Sequence, residues 1–380
     1  MLYTPAFAAL FLTNLMIVAS FAGFFLFPLF ITAHGGSETD IGLLMGSFAL
    51  ASAACRPWVS EMIDSLGRKR SYTVGSLIMT LAPLCYLPLT GDLENFFWPL
   101  MLLRVIHGIG IAICFTAVFT FIVDLIPAER LNEGIGIFGT SGLLGLAIGP
   151  ALAELVIDLG GFPALFICSA ILAGGGLLVH LPVKEVKRAP ADRSETNGFF
   201  KLLMQRKHLL IALMTGVFGF GVAATSTFVA PLAEQRGITF ISSYYLAYSA
   251  AAVGIRLIAG RVADHFGEAH ILPWGLALSA AGLFFLPYCD SSALLVVSGL
   301  LSGTGHGLLF PSLNAMAIRG EAYAVRGKVT GIFTGSIDGG AFVGSITLGL
   351  IGEFAGLSVL FFCAAGIMLL AFPLLLLRRH

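Results

Sequence analysis

The chain is 380 residues long, and 57% of its residues are hydrophobic while only 11% are charged, about half the charged fraction of an ordinary soluble domain. Polar side chains this scarce cannot cover a water-exposed surface, so most of the chain must have lipid as its solvent. The formal net charge of zero excludes the strongly basic field expected of a nucleic-acid-binding protein.

Twelve apolar runs are each close to the roughly 20 residues that a helix needs to cross a bilayer. The predicted spans are, in chain order, 6–32, 40–62, 71–90, 97–122, 133–157, 162–182, 208–232, 241–263, 271–290, 293–317, 328–352 and 355–377. The first run has no basic segment before it and is longer than a signal-peptide core, so we expect it to be retained. The pattern predicts an all-α membrane protein with 12 transmembrane helices.

The basic residues between the spans are distributed unevenly. They gather in the even-numbered connections and after the last span, at Arg68–Arg70, Arg130, 184–207, Arg261, Arg319, Arg326, Lys328, Arg378 and Arg379. The odd-numbered connections hold only Arg236 among basic residues. Because short cytoplasmic loops are enriched in Lys and Arg, we expect a multi-pass inner-membrane protein with both termini in the cytoplasm.

The segment 184–207 is the only long polar stretch between spans, and we interpret it as a cytoplasmic linker that ends in a short interfacial helix near Phe199. Sequence features recur on either side of it: Arg56, Asp64 and Gly67 are matched in spacing by Arg256, Asp264 and Gly267. This internal repeat predicts two pseudo-symmetric six-helix bundles, residues 1–183 and 208–380. A solute path between two such bundles is one transporter architecture.

Three motifs resemble those of a known family, the major facilitator superfamily (MFS), over the whole chain. They are Ser60-x-x-x-Asp64-x-x-Gly67-Arg68-Lys69-Arg70, Arg104-x-x-His107-Gly108-x-Gly110 and Gly145-x-x-x-Gly149-Pro150. The third resembles the motif of the proton-driven exporters in that family. Ser60, Ser65 and His107 depart from the family pattern, and Ala153-Glu154 stands where a glycine pair is expected.

The resemblance implies the MFS fold and a conformational latch in the loop after span two. Asp64 would accept hydrogen bonds from a neighbouring helix N-terminus, where backbone N–H groups lack partners, only while the bundles are closed on that side. We therefore predict a cytoplasmic gate made of Arg56, Asp64, Gly67, Arg68, Arg256, Asp264 and Gly267. The alternative is that these charges only set the topology.

Charged residues within the spans are the main candidates for chemistry, because a charge at such depth costs at least ~2.5 kcal/mol. Asp338, near the middle of span eleven, is the preferred proton site, and its alternative is a neutral structural carboxyl. Arg104 is a candidate for binding a substrate anion or a carboxylate, and the resemblance implies a proton-relay role there. Its alternative is a structural ion pair. Arg56 and Arg256 are expected to extend from the helices towards the cytoplasmic surface.

Uncharged polar residues provide weaker candidates. His107 and His306 titrate near neutral pH when exposed and are further proton-coupling candidates, or else hydrogen-bonded helix contacts. Asn14 and Asn314, together with Arg104 and Asp338, are candidates for the substrate path. Span one carries no acidic residue, so proton coupling is not expected through it.

Small residues repeat at helical spacing in spans five and eleven, at Gly145, Gly149 and Pro150 and at Gly331, Gly335 and Gly339. Small residues let helices approach closely, and proline favours a kink. These positions are therefore candidates for hinges or for plain close packing.

The sequence holds no Gly-Lys-Ser/Thr nucleotide loop and no paired metal-ligand spacing among its six cysteines, so we expect no cofactor and no metal. Energy would come from the proton gradient. The leading hypothesis is a monomeric secondary transporter in the lipid bilayer that exports a small solute against protons. Alternatives are an uptake symporter or uniporter for an anionic metabolite, and then a non-transporting receptor or an enzyme.

Overall fold

The computed structural model describes residues 3–127, 130–185, 198–266, 268–321 and 323–373, and this part of the chain is helical without a strand. The helices are α1 Pro5–Ala33, α2 Glu38–Leu66, α3 Arg68–Leu84, α4 Phe97–Leu125, α5 131–160, α6 162–180, α7 Phe199–Leu203, α8 Arg206–Gln235, α9 Ser243–Phe266, α10 Glu268–Phe285, α11 Ser292–Ile318, α12 Tyr323–Ala355 and α13 Leu357–Leu369. All except the short α7 correspond to the predicted spans, so the predicted fold class is confirmed.

Glycines in left-handed backbone conformations separate consecutive spans. Gly161 (φ 69°, ψ −166°) divides the helical run Leu131–His180 into α5 and α6. Gly356 (φ 87°, ψ 160°) divides α12 from α13 in the corresponding place of the second half. A side chain is strained at positive φ, so glycine allows the chain to reverse within one residue. The matching turns are a structural counterpart of the sequence repeat.

The apolar runs extend beyond two helices. The predicted spans 71–90 and 271–290 end as helices at Leu84 and Phe285. Turns follow α3, and a 3₁₀ turn containing Pro287 follows α10. Proline and tight turns interrupt the α-helical hydrogen bonds while the sequence stays apolar, which hydropathy alone does not detect.

Close helix contacts within each bundle are made through glycines. A Cβ on Gly145 of α5 would lie 2.9 Å from the Leu15 carbonyl oxygen of α1. A Cβ on Gly340 of α12 would lie 2.9 Å from the Gly216 Cα of α8. The same contact, span five on span one and span eleven on span seven, therefore recurs in both halves and holds each bundle together by backbone approach.

The molecule has two ends that differ in their connections. The linker face carries the α2–α3 turn at Gly67, the start of α8 and the α11–α12 connection. The opposite face carries the glycine turns at Gly35, Gly161, Gly237 and Gly356. The two halves meet mainly where α2 packs on α12 and α5 packs on α9.

Candidate functional site

A carboxylate from one half and a guanidinium from the other meet within the membrane-spanning region. Arg56 of α2 places Nη2 at 2.5 Å and Nε at 3.0 Å from Asp338 Oδ2 of α12. Ser52, one helical turn before Arg56, donates from Oγ to the same oxygen at 2.8 Å. A single carboxylate oxygen therefore joins α2 to α12.

This ion pair is only partly enclosed by the protein. The Asp338 side chain is 23% exposed, whereas that of Arg56 is 8% exposed. Glycines on the same stretch of α12 keep the space around the pair open: a Cβ on Gly335 would lie 3.4 Å from the Arg56 Cδ, and a Cβ on Gly339 would meet nothing within 4 Å. The Asp338 carboxylate is therefore not enclosed by packed side chains on every side.

Arg256, the repeat partner of Arg56, occupies a different environment. Its guanidinium lies 5.5 Å from the centre of the Phe310 ring. Its Nη1 lies 3.6 Å from where a Cβ of Gly139 in the other half would be. The Arg256 Nε is buried and has no hydrogen-bond partner among the described residues. Asp338 is therefore paired with Arg56, whereas Arg256 has no carboxylate partner among the described residues.

Arg104 is enclosed in the first bundle rather than open to a path between the halves. It is 1% exposed. Its guanidinium carbon lies 4.4 to 5.7 Å from the ring centres of Phe48, Phe27 and Phe24. Nε donates to the Leu44 carbonyl at 3.3 Å, and Nη1 has no partner among the described residues. Aromatic faces supply the stabilisation that a carboxylate was expected to give.

The two candidate histidines also lie inside their bundles. His107 is fully buried and lies 3.4 Å, through Nδ1, from the Tyr86 hydroxyl. His306 lies 2.5 Å from the Tyr248 hydroxyl and lines a small cavity of about 20 Å³, room for about one water molecule. The structure therefore pairs each histidine with a tyrosine and brings neither to the Arg56–Asp338 pair.

The two candidate asparagines have incompletely bonded side chains. Asn14 donates from Nδ2 to the Ser141 hydroxyl at 2.7 Å and so connects α1 to α5. Its Oδ1, like that of Asn314, is buried without a hydrogen-bond partner among the described residues. In both side chains the amide oxygen is therefore available to accept a hydrogen bond.

The turn between α2 and α3 has a carboxylate cap, but from a residue that the sequence did not single out. Glu185, after α6, accepts hydrogen bonds from the Arg68 and Lys69 N–H groups at 2.6 and 3.4 Å. Gly67 has φ 90°, and a Cβ there would lie 2.9 Å from the Glu185 carboxylate. Arg68 Nε lies 3.1 Å from Asp124 Oδ2. The N-terminus of α3 is therefore neutralised by a residue that directly follows its own bundle and not by one from the opposing bundle.

The remaining predicted gate residues cannot be placed in the same way. The side chains of Asp64 and Asp264, and the whole of Gly267, lie outside the described residues. Within the described part, no group of three or more His, Cys, Asp or Glu side chains is arranged to hold a metal ion.

The predicted small-residue positions separate into two groups. Gly145 and Gly149 of α5 lie against α1, and Pro150 follows them in the same helix. On α12, a Cβ on Gly331 would instead lie 3.5 Å from Cε2 of Phe199 in α7. A Cβ on Gly335 would meet Arg56, and one on Gly339 would meet nothing within 4 Å. On α12 the close contact with α8 is made by Gly340 and Gly344, which the sequence pattern did not single out.

Comparisons with known proteins agree with this architecture. A family model described as Major Facilitator Superfamily matches residues 9–319 and 246–380. The uncharacterized MFS-type transporter YhhS of Escherichia coli is 26% identical over 340 residues, covering 89% of this chain and 83% of YhhS. The quinolone resistance protein NorA of Staphylococcus aureus is 22% identical over 346 residues, covering 85% of this chain and 84% of NorA.

A solved structure shows the same fold. The human organic anion transporter MFSD10 superposes with a TM-score of 0.73 at 17% identity, over 98% of this chain and 99% of that one. Together, the family match along the chain, the paired bundles and these relatives identify a membrane transporter rather than an enzyme. The chain belongs to the Major Facilitator Superfamily.

Proposed function

We propose that this protein is a proton-coupled exporter of a small solute, working by alternating access between its two bundles. The observation that carries the proposal is the Arg56–Asp338 pair, in which a partly exposed carboxylate of one half holds an arginine of the other. An intramembrane carboxylate that contacts the opposing bundle is suited to couple protonation to bundle movement.

In this proposal Asp338 exchanges Arg56 for a proton. A proton on Oδ2 removes the negative charge that attracts the guanidinium, so the α2–α12 contact weakens and the bundles can rearrange. Loss of the proton restores the pair. Arg104, His107 and His306 would act within their bundles, and Asn14 and Asn314 would offer acceptors to a solute.

We infer the orientation of the protein from its charges. The basic connections lie on the linker face, so we place that face and both termini in the cytoplasm of a cell whose inner membrane holds the protein. The export direction draws support from NorA, a relative whose name describes resistance to quinolones. Asp64 and Asp264 remain predicted gate residues on the linker face.

The test is transport into proteoliposomes by Asp338→Asn under an imposed pH gradient, using fluorescent quinolones and other drug-like cations as probes. We expect the variant to insert normally and to lose gradient-driven transport. The control is Asp158→Asn, which removes an exposed carboxyl from the end of α5. Gradient-driven transport by Asp338→Asn at the wild-type rate would reject the assignment of the proton site.

A second candidate function is uptake of an anionic metabolite, by symport or uniport. The observation that favours it is Arg256, whose buried Nε has no partner among the residues that the structure describes, while its Nη1 faces Gly139 of the other half. An arginine in that position can bind a carboxylate or phosphate group. Under this alternative, organic anions would raise the melting temperature of the wild type but not that of Arg256→Gln, whereas the export proposal expects no anion-specific shift.

A further inference from the structure

A carboxylate of α5 is bound to the start of a helix in the opposing bundle, on the opposite face of the molecule. Glu154 accepts hydrogen bonds from the backbone N–H groups of Ile241 at 2.6 Å and Ser242 at 2.8 Å. These residues form the turn that begins α9, and the Ser242 carbonyl accepts its first helical hydrogen bond from Leu246. Glu154 is 9% exposed.

The same arrangement occurs with the two halves exchanged. Glu353, near the end of α12, accepts a hydrogen bond from the backbone N–H of Thr39 at 3.1 Å. Thr39 lies in the first turn of α2, where Ser37 and Asp40 already form a capping box. In each half, a glutamate near the end of the fifth span (α5 or α12) therefore binds the start of the second span of the other half (α9 or α2).

These contacts match what a helix N-terminus requires. The first N–H groups of a helix have no partner within the helix, and the helix dipole favours a negative charge there. Hydrogen bonds to an ionised carboxylate are roughly twice as strong as neutral ones. Because the donors and acceptors belong to different bundles, both contacts must break when the bundles separate on this face.

The two contacts differ in strength. Glu154 and its backbone partners are buried, so their hydrogen bonds are shielded from water and salt. The Glu353 contact is exposed, where such interactions contribute little. Of the two glutamate contacts, that of Glu154 should therefore contribute more to holding the halves together on this face.

We propose that Glu154 and Glu353 form a reciprocal latch that closes the opposite face and biases the protein towards the conformation open to the linker face. This inference rests on the alternating access proposed above. It also assigns a role to Glu154, which stands where the exporters that the chain resembles have a glycine.

The experiment measures the separation of the two bundles on the opposite face. Spin labels at Asn95→Cys and Asp290→Cys, exposed positions in the two halves, are introduced into a chain whose six native cysteines are replaced. Distances are measured by electron double resonance in nanodiscs, without solute and without a pH gradient. We expect the wild type to show mainly the short distance.

Glu154→Gln should raise the ratio of long to short distances at least ~5-fold, because one charge-assisted cap is lost. Glu353→Gln should raise it less. The matched control is Asp158→Asn, which removes a charge one turn further along α5 where no hydrogen bond or ion pair to α9 is described, and it should match the wild type. A distance distribution of Glu154→Gln that coincides with that of Asp158→Asn would overturn the latch.

Two further outcomes keep the test decisive. If Glu154→Gln does not yield monodisperse protein, Glu154→Asp replaces it, since a shortened carboxylate keeps the charge but withdraws from the Ile241 and Ser242 N–H groups. An unshifted distribution for Glu154→Asp would then overturn the proposal. Failure of wild-type protein to transport any solute would count against the proposed function and leave the distance result unaffected.

Discussion

At the scale of single residues, the central feature is one carboxylate oxygen that serves three donors. Asp338 Oδ2 accepts from Nε and Nη2 of Arg56 and from Oγ of Ser52. Removing either charge leaves the other in a largely apolar environment without compensation. Breaking a buried pair in this way typically costs about 3–5 kcal/mol of folding free energy. Because Asp338 is partly exposed, we expect the cost for this pair to lie at or below the lower end of that range.

We therefore predict strong coupling between these two residues in a double-mutant cycle. Arg56→Gln and Asp338→Asn should each lower the free energy of unfolding by about 2–3 kcal/mol. The double variant should lose clearly less than the sum, since neither charge is then left unpaired. Unfolding of purified protein in detergent provides the measurement, and additive losses would show that the contact contributes nothing to the folded state.

The sequence identified Asp338 and Arg56 but not their contact. Both stood out because a charge within an apolar span is costly and therefore rare. Their pairing joins residues 282 positions apart, and no local pattern encodes which helix faces which. Ser52 and Glu185 were missed for a different reason: a serine in a helix and a glutamate in a polar linker are too common to carry a signal.

At the scale of helices, glycines divide into those that a neighbour fills and those that face open space. A Cβ on Gly149 of α5 would lie 2.9 Å from the Ala22 Cβ and 3.0 Å from the Gly23 nitrogen of α1. A Cβ on Gly339 of α12 would meet nothing within 4 Å. From sequence spacing alone, Gly149 and Gly339 were both candidates for hinges or close packing, because the pattern does not show which face of a helix is covered by a neighbour.

This difference predicts opposite effects of the same substitution. Gly149→Ala should lower the melting temperature, because backbone atoms of α1 would have to move. Gly339→Ala should leave it unchanged or raise it slightly, since alanine favours a helix by roughly 1 kcal/mol over glycine. Thermal unfolding of the two variants in the same detergent tests the assignment, which equal destabilisation by both would contradict.

A second helix-scale contact anchors the start of α8 on the linker face. Lys207 donates from Nζ to Glu321 Oε1 and to the Arg319 carbonyl at 2.8 Å. The hydrogen bond from Lys207 lowers the pKa of the Glu321 carboxyl below its ordinary value of 4.5. The carboxylate form is therefore the one that stabilises the contact between α8 and the α11–α12 connection.

The stabilisation from Glu321 should depend on pH in a defined direction. A lowered pKa means that the contact is fully present above about pH 4.5 and is lost as the pH falls through the lowered value. Wild type should therefore exceed Glu321→Gln in melting temperature near neutral pH, and the margin should vanish in acid. A margin that persists once the pH is well below the lowered pKa would contradict the sign. Lys207 is partly exposed, so the effect should stay within about 1 kcal/mol.

The predicted boundaries of the helices were accurate where polar residues end the apolar run and less accurate where they do not. Spans 208–232 and 293–317 extend by a few residues to become α8 and α11. Spans 71–90 and 271–290 instead contain apolar turns after α3 and α10. Membrane immersion fixes which segments are apolar, but turn geometry depends on proline and on neighbouring helices.

At the scale of the whole molecule, the same interaction occurs at both ends: a glutamate carboxylate accepts hydrogen bonds from backbone N–H groups at the start of a helix. Glu185, which directly follows the first bundle, neutralises the start of α3 on the linker face. Glu154 and Glu353 do the same across the two bundles on the opposite face. The first contact can persist through a bundle rearrangement, while the other two cannot. Of these carboxylate caps, those that join the two halves therefore lie on the opposite face, as expected if that face is held closed by them.

The proposed direction of transport depends on which face of the molecule lies in the cytoplasm, and this orientation can be tested directly. Single cysteines at Asn95 and Asp290 on the opposite face should react with a membrane-impermeant maleimide in intact cells, and one at Lys184 on the linker face should react only in inverted vesicles. All three are introduced into the cysteine-free chain, with total labelling in detergent as the control for reactivity. Labelling of Lys184→Cys from outside intact cells would reverse the proposed orientation, which rests on the concentration of Lys and Arg on the linker face.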